Sequence, residues 1–497
     1  MARIGHGDTY SPSFAGGTAS IAGVQTPVSA FNFMVPALRA VPANLLPVGA
    51  TTVANLKLLG AAMEDTQSEN PVGNGTIPAA YTYFGQFLDH DVTLQQPGPG
   101  VPDISDPQLA PLANPAGSFT NARVPTLDLD SVYGGLAVRD SAAPDKLLVG
   151  KVSPVGQRPP NRGDFNDLPR RAANADPSVD REALTGDPRN DENLVIAQLH
   201  TAFLRAHNAL VAKHGSLAKA RTALCQAYQR LVLADFLPRI ADPSVVNDVV
   251  QNGPKFFKPQ KAADVFMPFE YSVAAYRFGH SMIREVYDYN RIFPTANFRL
   301  LFTFTALSGQ LGGGVAPEFP TLPENWIIEW ERFLPIGGSK PQPVRRIDTK
   351  LAEPLAHLRT ITGQPEGAPN DRLATRNLLR GYLIGLPTGQ AVAKAMGLTP
   401  LSGAALTAAV HPEQVSVLQT TGFDTRTPLW FYILAEAGDP NGAKGAHLGP
   451  VGSRIVVETL WNLIRFSPDS IIGANGKVTA GDPFTLSDLI ILSGNGA

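Results

Sequence analysis

The sequence is poor in cysteine and carries almost no net charge. Its 497 residues contain one cysteine, Cys225, so neither an intramolecular disulfide nor a thiolate metal cluster can form. The 41 basic and 43 acidic side chains nearly balance, at a formal net charge of −2. This balance excludes the strongly basic surface on which unspecific nucleic-acid binding depends.

Long apolar runs are also missing. The first 20 residues, MARIGHGDTYSPSFAGGTAS, lack the apolar core of a secretory signal. Later apolar stretches are interrupted by charge or glycine well before the roughly 20 residues that span a bilayer. The sequence therefore predicts a protein without a membrane span, located in the cytoplasm or exported by a route that needs no apolar N-terminal signal.

Glycine and proline, by contrast, are abundant. There are 46 glycines and 44 prolines, above the usual shares of about 7% and about 5%. They concentrate in 97–118, 153–176, 309–323 and 335–345, which we predict to be irregular loops. A hydrophobic content of 43% is ordinary for a folded protein, so these loops should connect elements of a normal core.

Helical periodicity accounts for most of the remaining chain, whereas alternating strand patterns are few and short. The prediction is a mainly α protein with one large helical domain at 78–466, an irregular N-terminal extension at 1–77 and a C-terminal loop or tail at 467–497. The predicted helices cover 78–92, 191–237 (two helices broken near Gly215), 263–285, 325–333, 371–385, 388–396, 411–420, 428–437 and 451–466.

One predicted helix carries polar side chains inside an apolar segment, Phe-Gly-Gln-Phe-Leu-Asp-His-Asp. Gln86, Asp89 and His90 lie at i, i+3 and i+4 and share one face, while Asp91 points about 100° further round. The flanking phenylalanine and leucine residues favour burial, and buried polar groups need partners or a function. Taken alone, such a triplet is more often an exposed helix end.

A second polar segment, Pro-Thr-Leu-Asp-Leu-Asp-Ser-Val-Tyr-Gly, begins at residue 125. Asp128 and Asp130 alternate with apolar residues, so we expect both carboxylates on one side of an extended loop. Oxygen ligands of this kind suit Ca²⁺. Such a loop alone is more often a solvated turn, and Asp91 would have to supply a further ligand.

Three more segments are uninformative one at a time. Arg189 and Glu192 lie three residues apart before a long helix, whose positive end by itself favours the acidic residues there. His280 lies in an apolar helix, where a lone histidine is more often a core residue than a ligand. Asn377 and Arg380 could belong to an ordinary helix with one exposed arginine.

Three histidines at a regular spacing are a false lead. His200, His207 and His214 are seven residues apart, and seven residues of helix rise about 10.5 Å. Two imidazoles at that separation cannot share one metal ion. We interpret these histidines as surface or core residues.

Together and in this order, the five segments resemble those of the animal haem peroxidases, the peroxidase–cyclooxygenase superfamily. The similarity runs from about residue 78 to about residue 466 and includes TPLWF at 427–431 and LGPVGSR at 448–454. Each motif is weak alone, but five in one order with matching internal spacing are specific. The resemblance implies a single, mainly α domain that encloses a haem.

On one side of that haem, the resemblance implies a distal acid–base residue, His90, with Gln86 beside it. Arg189 takes the position of the distal arginine, which stabilises the charge that develops as the O–O bond of peroxide splits. Asp89 and Glu192 fall where members of the family form ester bonds to the haem. The expected cofactor is therefore a haem linked through these two carboxylates.

On the other side, the resemblance implies that His280 is the axial iron ligand and Asn377 its hydrogen-bond partner. Arg380 falls at a position that contacts a haem propionate. Arg277, which the resemblance places among the haem-binding residues, lies three residues before the axial histidine, as in the peroxidases. Fatty-acid dioxygenases of the superfamily have a radical-forming tyrosine at that position. Tyr276 is one residue away, which keeps the dioxygenase alternative open.

The resemblance also implies a calcium loop, with Asp91, Asp128 and Asp130 as side-chain ligands and Thr126 as a backbone ligand. Val124 stands where mammalian members have a threonine ligand, so one hydroxyl is lost. Asp130 replaces a serine and adds a carboxylate. We therefore expect the loop to bind Ca²⁺.

The implied function is the reduction of hydrogen peroxide through an oxo-ferryl intermediate, with a role in the response to oxidative stress. The implied donors are small molecules: iodide, bromide, thiocyanate or phenols. Asn193 replaces a methionine that forms a sulfonium link to haem in one mammalian member, so chloride oxidation is not expected. The alternatives are a haem-dependent fatty-acid dioxygenase and a non-catalytic haem-binding or adhesion protein. The sequence leaves the natural donor and the oligomeric state open.

Overall fold

A computed structural model describes residues 29–67, 70–156, 165–175, 180–302, 305, 319–358 and 371–494. Helix makes up 48% of the structure and strand 11%, so the predicted mainly α class is confirmed. No helix in these described ranges is long and apolar enough to cross a membrane.

The α-helices are grouped in the first quarter and in the middle and last parts of the chain. They are α1 Ala50–Ala62, α2 Ala80–Val92, α3 Pro115–Ser118, α4 Asp130–Tyr133, α5 Leu194–His214, α6 Leu217–Leu231, α7 Leu237–Ile240, α8 Pro243–Asn252, α9 Leu373–Ile384, α10 Gly389–Ala395, α11 Ala404–Ala408, α12 Pro412–Thr421, α13 Leu429–Gly438, α14 Pro450–Arg465 and α15 Leu486–Leu492.

The strands have two to five residues each. They are β1 Ser29–Asn32, β2 Glu64–Asp65, β3 Asn74–Pro78, β4 Gln95–Pro97, β5 Phe119–Asn121, β6 Arg139–Asp140, β7 Ala143–Leu147, β8 Gly150–Lys151, β9 Asn166–Asp167, β10 Met267–Pro268, β11 Val286–Tyr287, β12 Ala296–Asn297, β13 Pro343–Arg345 and β14 Leu351–Ala352. Four of them form one sheet in the order β10-β1-β5-β4, and the others pair in twos.

The centre of the fold is α5, which packs against α2, α6 and α15. The predicted break near Gly215 is confirmed, since Gly215 ends α5 in the left-handed region at φ 80°. Ser216 then begins α6 by accepting a hydrogen bond from the Lys219 N–H. These are ordinary helix C-terminal and N-terminal caps.

Two predicted helices are wrong in type. The 263–285 segment forms a π-turn at Glu270–Ala274 followed by a 3₁₀ helix at Ala275–Met282. The 325–333 segment forms two separate 3₁₀ turns, because the Asn290 side chain occupies the carbonyls of residues 325 and 327 that a helix would use. Local changes of helix type are frequent at functional sites.

The part of the predicted N-terminal extension that the structure describes is not irregular throughout. Residues 29–77 include α1, which packs against α9 so closely that a Cβ atom on Gly60 would lie 2.9 Å from Thr375 Cα. The Glu270 carboxylate accepts the backbone N–H groups of Met34 and Val35 at 2.8 and 3.2 Å. The C-terminal segment likewise contains a helix, α15, which packs on α5.

Candidate active site

A cavity lies between α2 and the 3₁₀ helix at Ala275–Met282. The space between its walls is about 1450 Å³ when the open solvent at its mouth is counted. Four segments that are distant in sequence therefore meet at one place. The predicted site residues that line it are Gln86, Asp89, His90, Arg189, Glu192, Arg277, His280 and Arg380.

His90 is held from behind by an amide. Its Nδ1 lies 2.9 Å from Asn190 Oδ1, and Asn190 Nδ2 lies 2.9 Å from Nδ1 of the buried His200. A carbonyl oxygen only accepts hydrogen bonds, so His90 carries its hydrogen on Nδ1 and Nε2 keeps a lone pair. That Nε2 lies 4.0 Å from the Glu192 carboxylate.

Burial keeps the His90 imidazole neutral. Its pKa is lowered to about 4 by desolvation and by the positive charge of Arg189, while Asp187 and Glu192 oppose the shift. At neutral pH this side chain is therefore an uncharged base whose accepting nitrogen lies at a cavity wall. A general base needs this combination of charge state and position.

Arg189 is fixed by the buried Asp187. Its backbone N–H and Nε donate to Asp187 Oδ1 at 2.8 and 3.0 Å, and Nη2 donates to Oδ2 at 2.7 Å. Nη2 also donates to the carbonyls of His90 and Thr93 at 3.1 and 2.5 Å. These carbonyls lie at the C-terminal end of α2, where a helix offers them no backbone partner. Burial alone would raise the pKa of Asp187, but Arg123 and Arg189 hold it well below its usual range.

Gln86 and Asn193 meet at the cavity wall. Asn193 caps the N-terminus of α5 by accepting the Ile196 N–H at 3.0 Å, and its Nδ2 donates to Gln86 Oε1 at 3.0 Å. Asn193, for which the resemblance implies a methionine in one mammalian member, therefore orients the Gln86 amide next to His90. Asp89, on the same face of α2, is half-buried and accepts from the Thr93 hydroxyl at 2.9 Å.

On the opposite wall, His280 and Asn377 are in contact as the resemblance implies, but the amide faces the other way. Asn377 Nδ2 lies 2.9 Å from His280 Nδ1, and Asn377 Oδ1 accepts from Arg277. A neutral imidazole that binds iron through Nε2 carries its hydrogen on Nδ1 and needs an acceptor there. An iron held by His280 would therefore need the Asn377 amide in the opposite orientation, with Oδ1 toward His280 Nδ1.

Tyr276 also lines the cavity, although helical geometry predicts it to point about 100° away from the position of Arg277. The 3₁₀ geometry of this segment changes the direction of its side chains. The Tyr276 ring stacks on Tyr271 with 4.6 Å between centroids, and its buried hydroxyl has no hydrogen-bond partner among the described residues. Tyr276 is therefore the feature of the cavity that the peroxidase interpretation does not use.

Behind α2, on the face away from the cavity, buried oxygen atoms without hydrogen-bond partners come together. Burial raises the pKa of Asp91 to about 7, with repulsion from Asp128 adding to the shift, and burial also raises the pKa of Asp128 and of Asp130. Arg123 and Arg221 oppose these shifts without cancelling them, and hard cations take such carboxylate oxygens as ligands. The partnerless atoms, within the described ranges, are Asp91 Oδ2, Thr126 Oγ1, Asp128 Oδ1, Asp130 Oδ1 and Ser131 Oγ.

Apart from Asp91, the residues that carry these oxygens lie in one loop, residues 124–131, which we call the cation loop. The sequence predicts an extended loop, but the backbone turns. Leu129 lies in the left-handed region at φ 59°, which is strained for a bulky residue, and Asp130 begins α4. Asp91 reaches the loop directly, accepting the Ser131 N–H at 3.1 Å.

The three aspartates are near one another without forming a closed ligand shell. In the part of the chain that the structure describes, a different group of side chains has its ligand atoms within 4.8 Å of one another. It consists of Glu64, Glu353 and His357. Glu64 is paired there with Arg372, which removes the charge that would attract a metal ion. A cation at the cation loop would have to draw its carboxylates inward.

Several residues of the site have no signal in the sequence taken alone. Asp187 and Asn190 flank Arg189 in the sequence. Their interactions with His90, however, join residues about 100 positions apart. Arg123 carried no motif. His200 was interpreted as a surface or core residue; it is buried and contacts Asn190.

Comparison with known proteins decides the family. The family model described as animal haem peroxidase matches residues 105–459, which is more than half of the chain. The chain belongs to the animal haem peroxidase family. Haem binding and oxidoreductase chemistry are therefore expected of this member. The matched range begins after α2, so the position of His90 rests on the structure and on the motif around it.

The animal haem peroxidase relatives are distant. Peroxinectin A of Dictyostelium discoideum is 22% identical over 365 residues, 65% of this chain and 63% of that protein. Human thyroid peroxidase is 32% identical over 113 residues, 21% of this chain and 12% of that protein. The chain thus spans less than two thirds of the length of these curated relatives.

Solved structures show the same fold. Peroxidase A from Dictyostelium discoideum superposes with a TM-score of 0.60 at 16% identity and covers 89% of both chains. A fatty acid alpha-dioxygenase of Oryza sativa superposes with a TM-score of 0.54 at 12% identity, over 90% of this chain and 79% of that one. The architecture is therefore shared by peroxidases and dioxygenases.

The hydrogen-bond chain from His90 through Asn190 to His200 predicts which nitrogens carry hydrogen. In ¹⁵N NMR spectra of histidine-labelled protein, His90 should be the Nδ1–H tautomer and His200 the Nε2–H tautomer. In Asn190→Ala, His90 loses its acceptor and should show a mixture of tautomers. Thr420→Ala, on the exposed face of α12, is the control and should change neither. An Nε2–H tautomer of His90 in the unmodified protein would contradict the geometry.

Proposed function

We propose that the protein is a haem peroxidase that reduces hydrogen peroxide and oxidises small donors, such as iodide, bromide, thiocyanate or phenols. The observation that carries the proposal is a neutral base, His90, with its accepting nitrogen at a cavity wall beside the fixed Arg189. His280 lies across the same cavity. A scaffold that only binds haem has no need of such an acid–base pair.

The cavity residues have the chemistry that a haem needs. His280 would be the axial ligand, and Arg277 and Arg380 would neutralise the propionates. A bound haem supplies an iron centre that gives two electrons to peroxide and later recovers them from the donor. The protein contributes the orientation of the axial imidazole, the positive charges around the ring and the exclusion of bulk water.

The distal side chains transfer the proton. His90 Nε2 accepts a proton from hydrogen peroxide and returns it to the departing oxygen atom, which leaves as water. Arg189 stabilises the negative charge that develops on that oxygen. Asp187 prevents the guanidinium from turning away, and Asn190 prevents the imidazole from rotating.

Substitution of His90 tests the peroxidase function. In His90→Ala, haem should stay bound while the reaction with peroxide, followed by stopped-flow absorbance, slows by roughly 10²–10⁴-fold, the usual contribution of an acid–base residue. In the unmodified protein the rate should be constant from pH 7 to about pH 5 and fall toward pH 4, because His90 becomes protonated there. Circular dichroism at each pH is the control for unfolding.

The outcomes separate the alternatives. Haem uptake with no reaction with peroxide would favour the non-catalytic scaffold. Oxygen uptake with linoleate that is lost in Tyr276→Phe would favour the dioxygenase, which Tyr276 at the cavity wall supports. Unchanged kinetics in His90→Ala would refute the role of this residue.

We also propose that Asp89 and Glu192 form ester bonds to the haem, since both carboxylates line the cavity. Acidified butanone should then fail to extract the haem from the unmodified protein. In Asp89→Val combined with Glu192→Gln, the haem should become extractable. Release from the unmodified protein would show that the esters are not formed.

The cation loop would bind Ca²⁺ through Asp91, Asp128, Asp130 and Thr126, and this would fix the end of α2 next to His90. Protons compete with the cation because burial raises the pKa of Asp91 to about 7. Calcium affinity, measured by calorimetry, should therefore fall about tenfold between pH 8 and pH 6. Asp128→Asn should weaken binding, whereas Asp145→Asn in the exposed part of β7 should not. Affinity that is independent of pH would contradict this site.

A further inference from the structure

One buried arginine lies between the candidate active site and the cation loop, and none of the roles above belongs to it. Arg123 follows β5 and is 6% exposed. A buried guanidinium needs acceptors, because an unpaired charge inside a protein costs several kcal/mol. Its partners therefore indicate what it does.

The first partner is the carboxylate that fixes Arg189. Arg123 Nε lies 3.1 Å from Asp187 Oδ2, and Arg123 Nη2 contacts the same oxygen. Arg189 binds Asp187 from the other side. Because two arginines share one fully buried carboxylate, the removal of either changes how the other is held.

The second partner is the backbone of the proposed base. Arg123 Nε donates to the His90 carbonyl at 3.1 Å, and Arg189 Nη2 donates to the same oxygen at 3.1 Å. This carbonyl lies at the end of α2, where helical partners are missing. Arg123 thus contacts both members of the distal pair, His90 directly and Arg189 through Asp187.

The third partner belongs to the cation loop. Arg123 Nη1 lies 3.8 Å from Asp130 Oδ2, while the other carboxylate oxygen of Asp130 is one of the buried atoms without a hydrogen-bond partner. Asp130 therefore lies between the guanidinium and the place that a bound cation would occupy. The two positive charges would compete for one carboxylate.

We propose that Arg123 is a positioning residue that couples the cation loop to the distal pair, His90 and Arg189. A bound cation draws Asp130 away from Arg123, and the guanidinium then holds Asp187 and the His90 carbonyl alone. Conversely, the charge of Arg123 opposes cation binding. Such coupling is reciprocal for binding free energies. The proposal rests on the proposed function only where it concerns the reaction with peroxide.

This arrangement predicts opposite effects from one substitution. In Arg123→Gln the cation loop loses a competing positive charge, so Tb³⁺ and Ca²⁺ should bind about tenfold more tightly, within the range usual for coupled sites. Asp187 keeps only one arginine, so the reaction with hydrogen peroxide should slow by about tenfold. Simple damage to the fold would weaken both.

The experiment uses the full-length, haem-loaded protein. Terbium luminescence, excited through tyrosine because Tyr228 lies beside Asp91, gives the cation affinity, with calcium chloride as the competitor. Stopped-flow absorbance gives the rate with peroxide. Arg171→Gln is the matched control, since it removes a half-exposed arginine paired with Glu182, and it should change neither quantity.

Two further variants keep the test sharp if Arg123→Gln does not fold. Arg123→Lys keeps the charge but carries its three N–H donors on one nitrogen, so it cannot span Asp187, the His90 carbonyl and Asp130 as the planar guanidinium does. The cation affinity should therefore stay near that of the unmodified protein while the peroxide reaction slows. In an Asp130→Asn background, Arg123→Lys and the unmodified Arg123 should bind terbium equally, and Arg123→Gln should no longer tighten binding.

Parallel weakening of both quantities, or no change in either, would overturn the proposal. So would an effect of Arg123→Gln on cation affinity that persists in the Asp130→Asn background. If the unmodified protein binds terbium but does not react with peroxide, the proposed peroxidase function fails separately. The cation measurements then decide the coupling alone.

Discussion

The burial of α2 is the constraint on which the rest of the site depends. A helix inside the core cannot leave polar groups to water, yet α2 carries an amide, two carboxylates and an imidazole within six residues. The fold gives adjacent residues opposite surroundings: His90 faces the cavity, and Asp91 faces the cation loop. Any change in the position of this helix therefore alters both places together.

Charge balance explains why both places are built from ion pairs. Four carboxylates lie in a small buried region, those of Asp91, Asp128, Asp130 and Asp187, and the positive charges of Arg123, Arg189 and Arg221 act on them. Asp187 is satisfied by the arginines, and its low pKa reflects this. The other three have raised pKa values, chiefly because burial disfavours their charged forms, and the nearby arginines do not offset this. Buried carboxylate oxygens of this kind are the ligands that hard divalent cations take.

The chain reaches this arrangement without the disulfides that its single cysteine precludes. Buried carboxylates bind distant segments instead: Glu458 accepts the backbone N–H groups of residues 255, 256 and 257, and Glu270 accepts those of residues 34 and 35. Each replaces several lost hydrogen bonds to water with charge-assisted ones.

Much of the fold and the shared face of the distal helix could be predicted from the sequence. Three features depend only on residues within four positions of one another: the helical periodicity, the break at Gly215, and the common face of Gln86, Asp89 and His90. The local sequence is therefore enough to predict them. The motifs around them also identified which side chains meet across the cavity. Where a segment changed helix type, as before His280, the same local reasoning failed because packing decided the backbone.

Only the tertiary structure decided how the site residues are held. His90 meets Asn190 across 100 positions, and Arg123 meets Asp187 across 64. No periodicity links residues so far apart. Their pairing follows from the need of each buried polar group for a partner, and this need can be met only once the folded chain has brought a donor and an acceptor together.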